Sequence, residues 1–575
     1  MKHSFAKTLE GRLRYVLFFF LAACVVLLGR LFQMSIVQHQ EYVRLASRQH
    51  GITQELSSER GAIFAVDKDG APVPLALNKT YKVLVASPRI IEDASAAATA
   101  IAESFGLSLE EVRPKLEKKD DPYEIIIRRI EPDAADAFLE KKIQGLSFED
   151  EVRRIYPNGR MASVVLGFTG GDLGDPKGQY GLERLFQDEL SGSKGVLKGV
   201  KDASGFVIAL GKRIFHPPKN GSAITLTIDY HIQQKAEEVL TATREKWGGT
   251  GGLILIMDPA TGRILAEAVA PGFDPNAYSK EKDYTVFLNP AVESSYELGS
   301  VLKPVTMASA IEEELVTPAS TYRDTGEVKI GGYTIRNFDE QAYGVQTMSQ
   351  VIEKSLNTGL IHVARLLGHE RQLRYLKKFG FGEKTGVDMP GEVAGNISNL
   401  EAGRDIDFAT ASFGQGIAVT PLQMARAMAT IANDGAMMHP YIVQNITDDS
   451  GNTSVTRPET VRQVITKETA EQLQKMLVSA VRNGFENRAK IPGYFVAGKT
   501  GTAQVPRRDG RGYSEAFTHT FVGFAPAFEP RFLVLLQLNE PIGNRFAANT
   551  LTPAFHDLAT FILNYYEVPP DENQK

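Results

Sequence analysis

Residues 15–28 form an uncharged apolar run, and residues 31–37 continue it past Arg30. Together they are long enough to span a bilayer, with Arg30 near one end reaching back to the interface. Residues 38–60 are polar and predict a helical stalk. Short segments of changing period follow. Residues 82–86 predict a strand, and residues 94–118 and 132–142 place Ala, Leu, Glu and Lys at helical spacing. Residues 153–157 return to extended structure, and residues 181–190 predict a short amphipathic helix. The polar stretch ending in His216, Pro217, Pro218, Lys219, Asn220 and Gly221 predicts a linker.

A different pattern begins after the linker. Residues 223–228 predict a strand, and Asp229 is placed to cap a helix running through Leu240. Residues 252–257, 258–262 and 263–269 read as strand, turn and strand, a β-hairpin. Helical spacing fills residues 300–314, 346–379 and 421–434. Residues 493–504, 519–525 and 531–538 predict three further strands, and residues 553–566 a closing helix. A sheet whose strands lie at both ends of a region, with helices between, is an α+β arrangement.

Length and composition narrow the class. A chain of 575 residues exceeds one ordinary core, so more than one domain is expected. With 43% hydrophobic and 23% charged residues it is a folded protein, and a net charge of -5 gives no reason to expect nucleic acid. One cysteine, Cys24, excludes an intramolecular disulfide and a cysteine metal cage. Leu21, Ala22, Ala23 and Cys24 fit a lipoprotein cleavage motif, but the apolar run continues to Leu28 where a cleavage site would close it. Cys24 is therefore read as a small apolar helix residue. Lys2, Lys7, Arg12 and Arg14 precede the run against a single acidic residue, Glu10. The positive-inside rule keeps residues 1–14 in the cytoplasm, makes residues 15–37 an uncleaved anchor and sends the remainder across the cytoplasmic membrane.

Three short motifs carry candidate chemistry. Ser300 and Lys303 are three residues apart, and on a helix they share a face, so a neutral lysine is in position to deprotonate the serine. Burial and nearby positive charge are what make a lysine neutral at working pH. Ser355 and Asn357 put a hydroxyl and a carboxamide at i and i+2, in a loop between helices. Lys499, Thr500, Gly501 and Thr502 end an apolar strand, offering charge and hydroxyls for a carboxylate, with a glycine where a substrate backbone approaches. Taken singly, each has a plainer reading: a capping serine and a surface lysine, a Ser/Asn turn, a polar strand end. Residues 493–500 also fit the nucleotide-binding pattern G-x-x-x-x-G-K-T, but their strand-like composition and Pro506 deny that motif its helix. His369 and Glu370 do not begin a zinc motif, because Leu373 stands where the second histidine belongs.

In this order, downstream of one membrane segment, the motifs S-x-x-K, S-x-N and K-T-G resemble those of class B penicillin-binding proteins, and most closely the septal branch. The likeness extends to Arg60-Gly61, Arg154 with Tyr156-Pro157, Gly181 with Glu183, Asp274-Pro275-Asn276, Ser412 to Gly416 and Phe521 to Phe524. It implies a pedestal module over residues 38–218 and a penicillin-binding transpeptidase domain over residues 219–575, an antiparallel sheet with helices like that of serine β-lactamases. It implies that Ser300 is the nucleophile and Lys303 its base, that Ser355 and Asn357 line the cleft, and that Lys499, Thr500, Gly501 and Thr502 hold the donor. The backbone N–H groups of Ser300 and Thr502 would form the oxyanion hole. Two departures are visible: Leu298 replaces the family's usual proline, and Val301 and Leu302 are more apolar than usual, so local repacking is expected. The implied reaction is D,D-transpeptidation of peptidoglycan stem peptides without metal or cofactor, inhibited by β-lactams. The implied partners are a membrane glycan polymerase and division proteins. A D,D-carboxypeptidase is the nearest alternative. A β-lactam sensor would need a cytoplasmic signalling domain beyond the short tail, and an inert division scaffold would not need intact motifs.

Overall fold

In a computed structural model of the chain, residues 2–42, 51–171, 176–200, 214–484, 486–507 and 512–572 are described. The chain forms two compact units, one from Met1–Glu59 with Gly192–Asn220, the other from Arg60–Ser191 with Gly221–Lys575. The first unit opens with the helix Lys2–Phe32 and a π-turn, Gln33–Val37. Arg12–Val37 has a mean hydropathy of 2.4 and, among the described residues, is the one helical stretch long and apolar enough to cross a membrane. Of the helical stalk predicted over 38–60, residues 39–42 are helical, residues 43–50 lie outside the described residues, and the part from Gly51 is corrected. Gly51–Leu56 is a strand, paired antiparallel with Gly195–Val200, which pairs in turn with Ile214–His216. Gly51, Ile52 and Thr53 are weak helix formers, and distant strands complete their hydrogen bonding.

In the second unit the long strand Pro72–Ala86 pairs with Glu124–Ile130 and with Leu146–Ile155. Ile101, Leu116, Ile126 and Phe138 pack the helices Ala94–Phe105, Leu109–Leu116 and Pro132–Leu139 into one core with this sheet. The single helix predicted over residues 94–118 is two. Gly106 ends the first in the left-handed region at φ 67°, and the Ser108 hydroxyl caps the second. The predicted helix at 181–190 likewise breaks at Phe186 into Gly181–Leu185 and Gln187–Ser191. Ala223–Asp229 runs parallel to Ile63–Val66, so one sheet joins early and late parts of the chain. Beside it Glu183, fully buried, accepts from Arg60 Nε at 2.6 Å, from Arg154 Nε at 2.7 Å and from Tyr156 OH at 3.2 Å. Burial pushes its carboxyl upward, but the two guanidiniums outweigh it and hold it below the ordinary range. Three of the family-like motifs thus converge on one buried carboxylate.

The C-terminal part is built on five antiparallel strands: β1 (Gly251–Met257), β2 (Ile264–Ala270), β3 (Ala497–Pro506), β4 (Tyr513–Ala525) and β5 (Phe532–Asn539). Their order is β2-β1-β5-β4-β3, which leaves β3 at an edge. Both faces are covered. Ile254, Ile256, Phe521 and Leu536 pack with Ile232 and Phe555 of the helices Tyr230–Trp247 and Thr552–Tyr565. Leu253, Leu255, Val522 and Leu535 pack the other way, with Val305, Met428 and Leu477 of the helices Lys303–Glu312, Pro421–Ala432 and Lys467–Asn483. That two-faced burial is why β1 and β5 read as unbroken apolar runs. Asp229 caps its helix as expected, accepting from the N–H groups of His231 and Ile232. The predicted strand over 493–504 begins only at Ala497, since Gly493 turns the chain at φ 85°.

Glu267 of β2 is wholly buried, and its carboxylate accepts no hydrogen bond of ordinary length. Burial pushes its carboxyl up to about 7, the nearby Asn289 amide offsets part of this, and Glu293 adds to it. A carboxyl raised in the folded state binds its proton more tightly there than in the unfolded chain. Its contribution to stability is therefore lost as pH rises from the unfolded carboxyl range through 7. Glu267→Gln is expected to raise stability at pH 8, by about 3 kcal/mol at most, and to change little at pH 5. Melting curves at the two pH values check this, and an equal effect at both refutes it.

Candidate active site

The first motif does not lie on one regular helix. Gly299–Leu302 is a 3-10 turn, and the α-helix starts only at Lys303, with Pro304 in its first turn. Positions i and i+3 eclipse each other in a 3-10 turn, so Ser300 and Lys303 still share a face. Leu298, Val301 and Leu302 are buried in the core, which accounts for their apolar character. Gly299 enters the turn at φ 62° and donates its N–H to the Gly414 carbonyl at 3.1 Å. Gly414 has to be glycine: a Cβ there would lie 2.1 Å from the Gly299 oxygen. The segment from Ser412 to Gly416 therefore braces the turn that carries Ser300.

Ser300 is half-buried at the surface of a cleft, while Lys303 is completely buried beneath it. The Lys303 amine donates to the Ser355 carbonyl and lies 3.1 Å from Ser355 Oγ. Burial drives its pKa well below the ordinary lysine value. The Lys499 ammonium adds to this, and Glu486 and Asp339 oppose it.

The second motif is positioned by a helix end. Met348–Glu353 closes with Ser355 at φ 54°, its N–H on the Ile352 carbonyl, while the Leu356 N–H reaches the Val351 carbonyl. This is the Schellman arrangement, whose left-handed position is usually glycine. A serine there costs on the order of 1 kcal/mol and aims its hydroxyl at Lys303. Asn357 opens the helix Asn357–Lys378, and its amide donates to the Arg336 carbonyl at 2.9 Å. The helical stretch read over 346–379 is thus interrupted twice, at the motif, which lies between helices as expected, and at Gly368, whose φ of 71° and ψ of 163° leave the helical region.

The third motif lies within edge strand β3. Lys499 is completely buried and its ammonium meets Glu486 Oε1 at 2.5 Å. The same oxygen accepts from the Thr500 N–H at 3.2 Å and from its hydroxyl at 2.7 Å. Thr502 Oγ1 accepts from the Ala547 N–H at 3.3 Å. Gly501 is required by the chain itself. A Cβ there would lie 2.4 Å from the Leu298 carbonyl oxygen and 3.1 Å from Val301, so the turn that carries Ser300 packs directly on this glycine. Lys499 and Thr500 sit inside a strand, not at the start of a helix, so the nucleotide-loop geometry is absent from this segment.

These elements enclose a cavity of about 730 Å³. Ser300, Ser355, Asn357, Thr500 and Thr502 line it, and Lys303, Lys499 and Gly501 lie below its surface. Three participants escaped the sequence reading. Glu486 precedes Lys499 by 13 positions and follows a helix that ends at Asn483, so no local pattern marks it. Arg545 and Phe546 line the cavity from the segment after β5, and again no short motif announces them.

Comparison with known proteins agrees with this fold. Residues 252–559 match the penicillin-binding protein transpeptidase domain and residues 55–226 the penicillin-binding protein dimerisation domain. Stage V sporulation protein D of Bacillus subtilis is 32% identical over 573 residues, covering 99% of this chain and 88% of that protein. Peptidoglycan D,D-transpeptidase FtsI of Escherichia coli is 28% identical over 559 residues, covering 96% and 91%. Penicillin-binding protein 2X of Streptococcus thermophilus shares the fold, with a TM-score of 0.76 at 22% identity over 90% of this chain and 81% of that one. Penicillin-binding protein 3 of Mycobacterium tuberculosis, complexed with aztreonam, has a TM-score of 0.70 at 26% identity, covering 90% and 98%. The chain belongs to the class B penicillin-binding proteins.

Proposed function

We propose that this protein is a serine D,D-transpeptidase that crosslinks peptidoglycan stem peptides during septal wall synthesis. The observation that carries the reading is Lys303: a buried lysine, held on Ser355, with its proton affinity driven down by burial and by Lys499. A neutral amine has a lone pair for the Ser300 hydroxyl proton. Ser300 Oγ attacks the carbonyl between the two terminal D-Ala residues, and its proton passes to Lys303. The N–H groups of Ser300 and Thr502 stabilise the developing oxyanion. Through the Ser355 hydroxyl the proton reaches the departing D-Ala amine, the peptide C–N bond breaks and an ester to Ser300 remains. A stem-peptide amine then attacks the ester carbonyl and loses its proton to Lys303; the crosslinking amide forms as the ester C–O bond breaks, and Lys303 returns the proton to Ser300 Oγ. Thr500 and Thr502, backed by Lys499, bind the donor's terminal carboxylate, and Asn357 holds a donor carbonyl. A β-lactam enters as the donor does and stays as the acyl-enzyme.

Residues 38–218 serve as the pedestal and residues 219–575 as the catalytic domain. The apolar helix anchors the chain with residues 1–14 in the cytoplasm and the cavity outside. A membrane glycan polymerase and division proteins are the partners this placement calls for. The test is crosslinking of nascent peptidoglycan by the full chain with its polymerase. Wild type is expected to form crosslinks and Ser300→Ala none; equal crosslinking by both sinks the assignment. Release of D-Ala without crosslinks would make the protein a carboxypeptidase.

A further inference from the structure

We infer that Arg545 makes this enzyme selective for donor stems that carry a free carboxylate on their third residue. The inference rests on the transpeptidase reading above. Arg545 lines the cavity, its guanidinium 4.5 Å from the centre of the Phe338 ring and 6.0 Å from that of Phe517. Phe338 is itself held edge-on by Phe517 and Phe546, at 6.3 and 5.4 Å between ring centres. A guanidinium on an aromatic platform keeps its charge and donors while losing much of its freedom, which suits it to a carboxylate. Of the other cations lining the cavity, Arg336 pairs with Glu327 and Lys354 donates to Gln346, whereas Arg488, at the turn after Asn487, is not stacked on the aromatic platform. Among the described residues, Arg545 forms no ion pair with a carboxylate.

Register supplies the position. Phe517 of β4 lies opposite Gln504 of β3, and Gln504, like Thr502, lines the cavity. Gln504 is two residues beyond Thr502, about 7 Å along an extended strand. A donor lying extended beside β3, with its terminal carboxylate at Thr500 and Thr502, has its third residue two positions from its end, at the same spacing of about 7 Å. The ring under Arg545 marks that level. The loop is fixed from below: His519 Nδ1 meets Thr550 Oγ1 at 2.8 Å, and the Ala547 N–H is tied to Thr502. Stem peptides differ at this residue in whether the diamino acid bears a carboxylate, a carboxamide or neither, and a fixed guanidinium distinguishes the first from the others.

The test uses the full chain and two stem pentapeptides ending in D-Ala–D-Ala, identical except for a carboxylate or a carboxamide on the third residue. Each competes with benzylpenicillin for acylation of Ser300, so binding is read even where turnover is slow. Wild type is expected to bind the carboxylate form about tenfold more tightly. Arg545→Gln should bring the ratio close to one, and Arg545→Lys should retain part of it. Equal competition by the two peptides in wild type, failure of both to compete, or an unchanged ratio in Arg545→Gln each overturns the inference. Failure of benzylpenicillin to label Ser300 at all would instead remove the transpeptidase reading, and this inference with it.

Discussion

Lys303→Met is expected to lower the rate of Ser300 acylation by a β-lactam by about 10²–10⁴-fold, the range over which a positioned general base acts. The side chains have similar length, so Met fills the buried channel while removing the lone pair. The pH dependence makes the prediction specific. Lys303 is pushed below the ordinary lysine value by burial first and by Lys499 second. Its free amine is the reactive form, so acylation rises with pH through this lowered pKa and levels off above it. In Lys303→Met the remaining slow reaction should lose that ascending limb. A serine activated by another group would keep the limb in the variant, and that outcome would refute the role given to Lys303. Rates from a chromogenic β-lactam across a pH series decide between the two.

Much of this site was legible because the chemistry sits in contiguous words. Ser300 with Lys303, Ser355 with Asn357, and Lys499 through Thr502 each lie within one turn or one strand, and their spacing survives folding. The hairpin of β1 and β2 and the Asp229-capped helix were equally readable, since strand period and cap chemistry are local. What was not legible depends on distance along the chain. Helical periodicity did not reveal that Gly51–Leu56 would pair with Gly195–Val200, because only the partner makes that strand. That Gly501 also makes room for Leu298, some 200 positions earlier, shows only once the chain is folded. Ser355 carries no outward sign that its backbone is left-handed, since the residue common at such a helix end is glycine. The counter-charge of Lys499 was invisible for the same reason: Glu486 reaches it from a turn outside the strand.

Glu486→Ala should do more damage than loss of one surface ion pair. Glu486 and Lys499 are both completely buried, and one carboxylate oxygen serves the ammonium, the Thr500 N–H and the Thr500 hydroxyl together. Removing it leaves a buried cation uncompensated, a loss of about 3–5 kcal/mol. It also frees the Thr500 hydroxyl to turn away from the cavity. Lower melting temperature and weaker acylation are both expected, and Glu486→Gln, which keeps the shape and an acceptor, should recover much of the stability. The same charge reaches Lys303, whose proton affinity Lys499 lowers and Glu486 raises. Neutralising Glu486 with Gln should therefore move the ascending limb of acylation to lower pH, and Lys499→Met should move it to higher pH. Opposite displacements cannot arise from a general loosening of the fold, which would shift both variants alike. Limbs that stay in place in both would show that the Lys499–Glu486 pair only holds the strand and has no hold on the base.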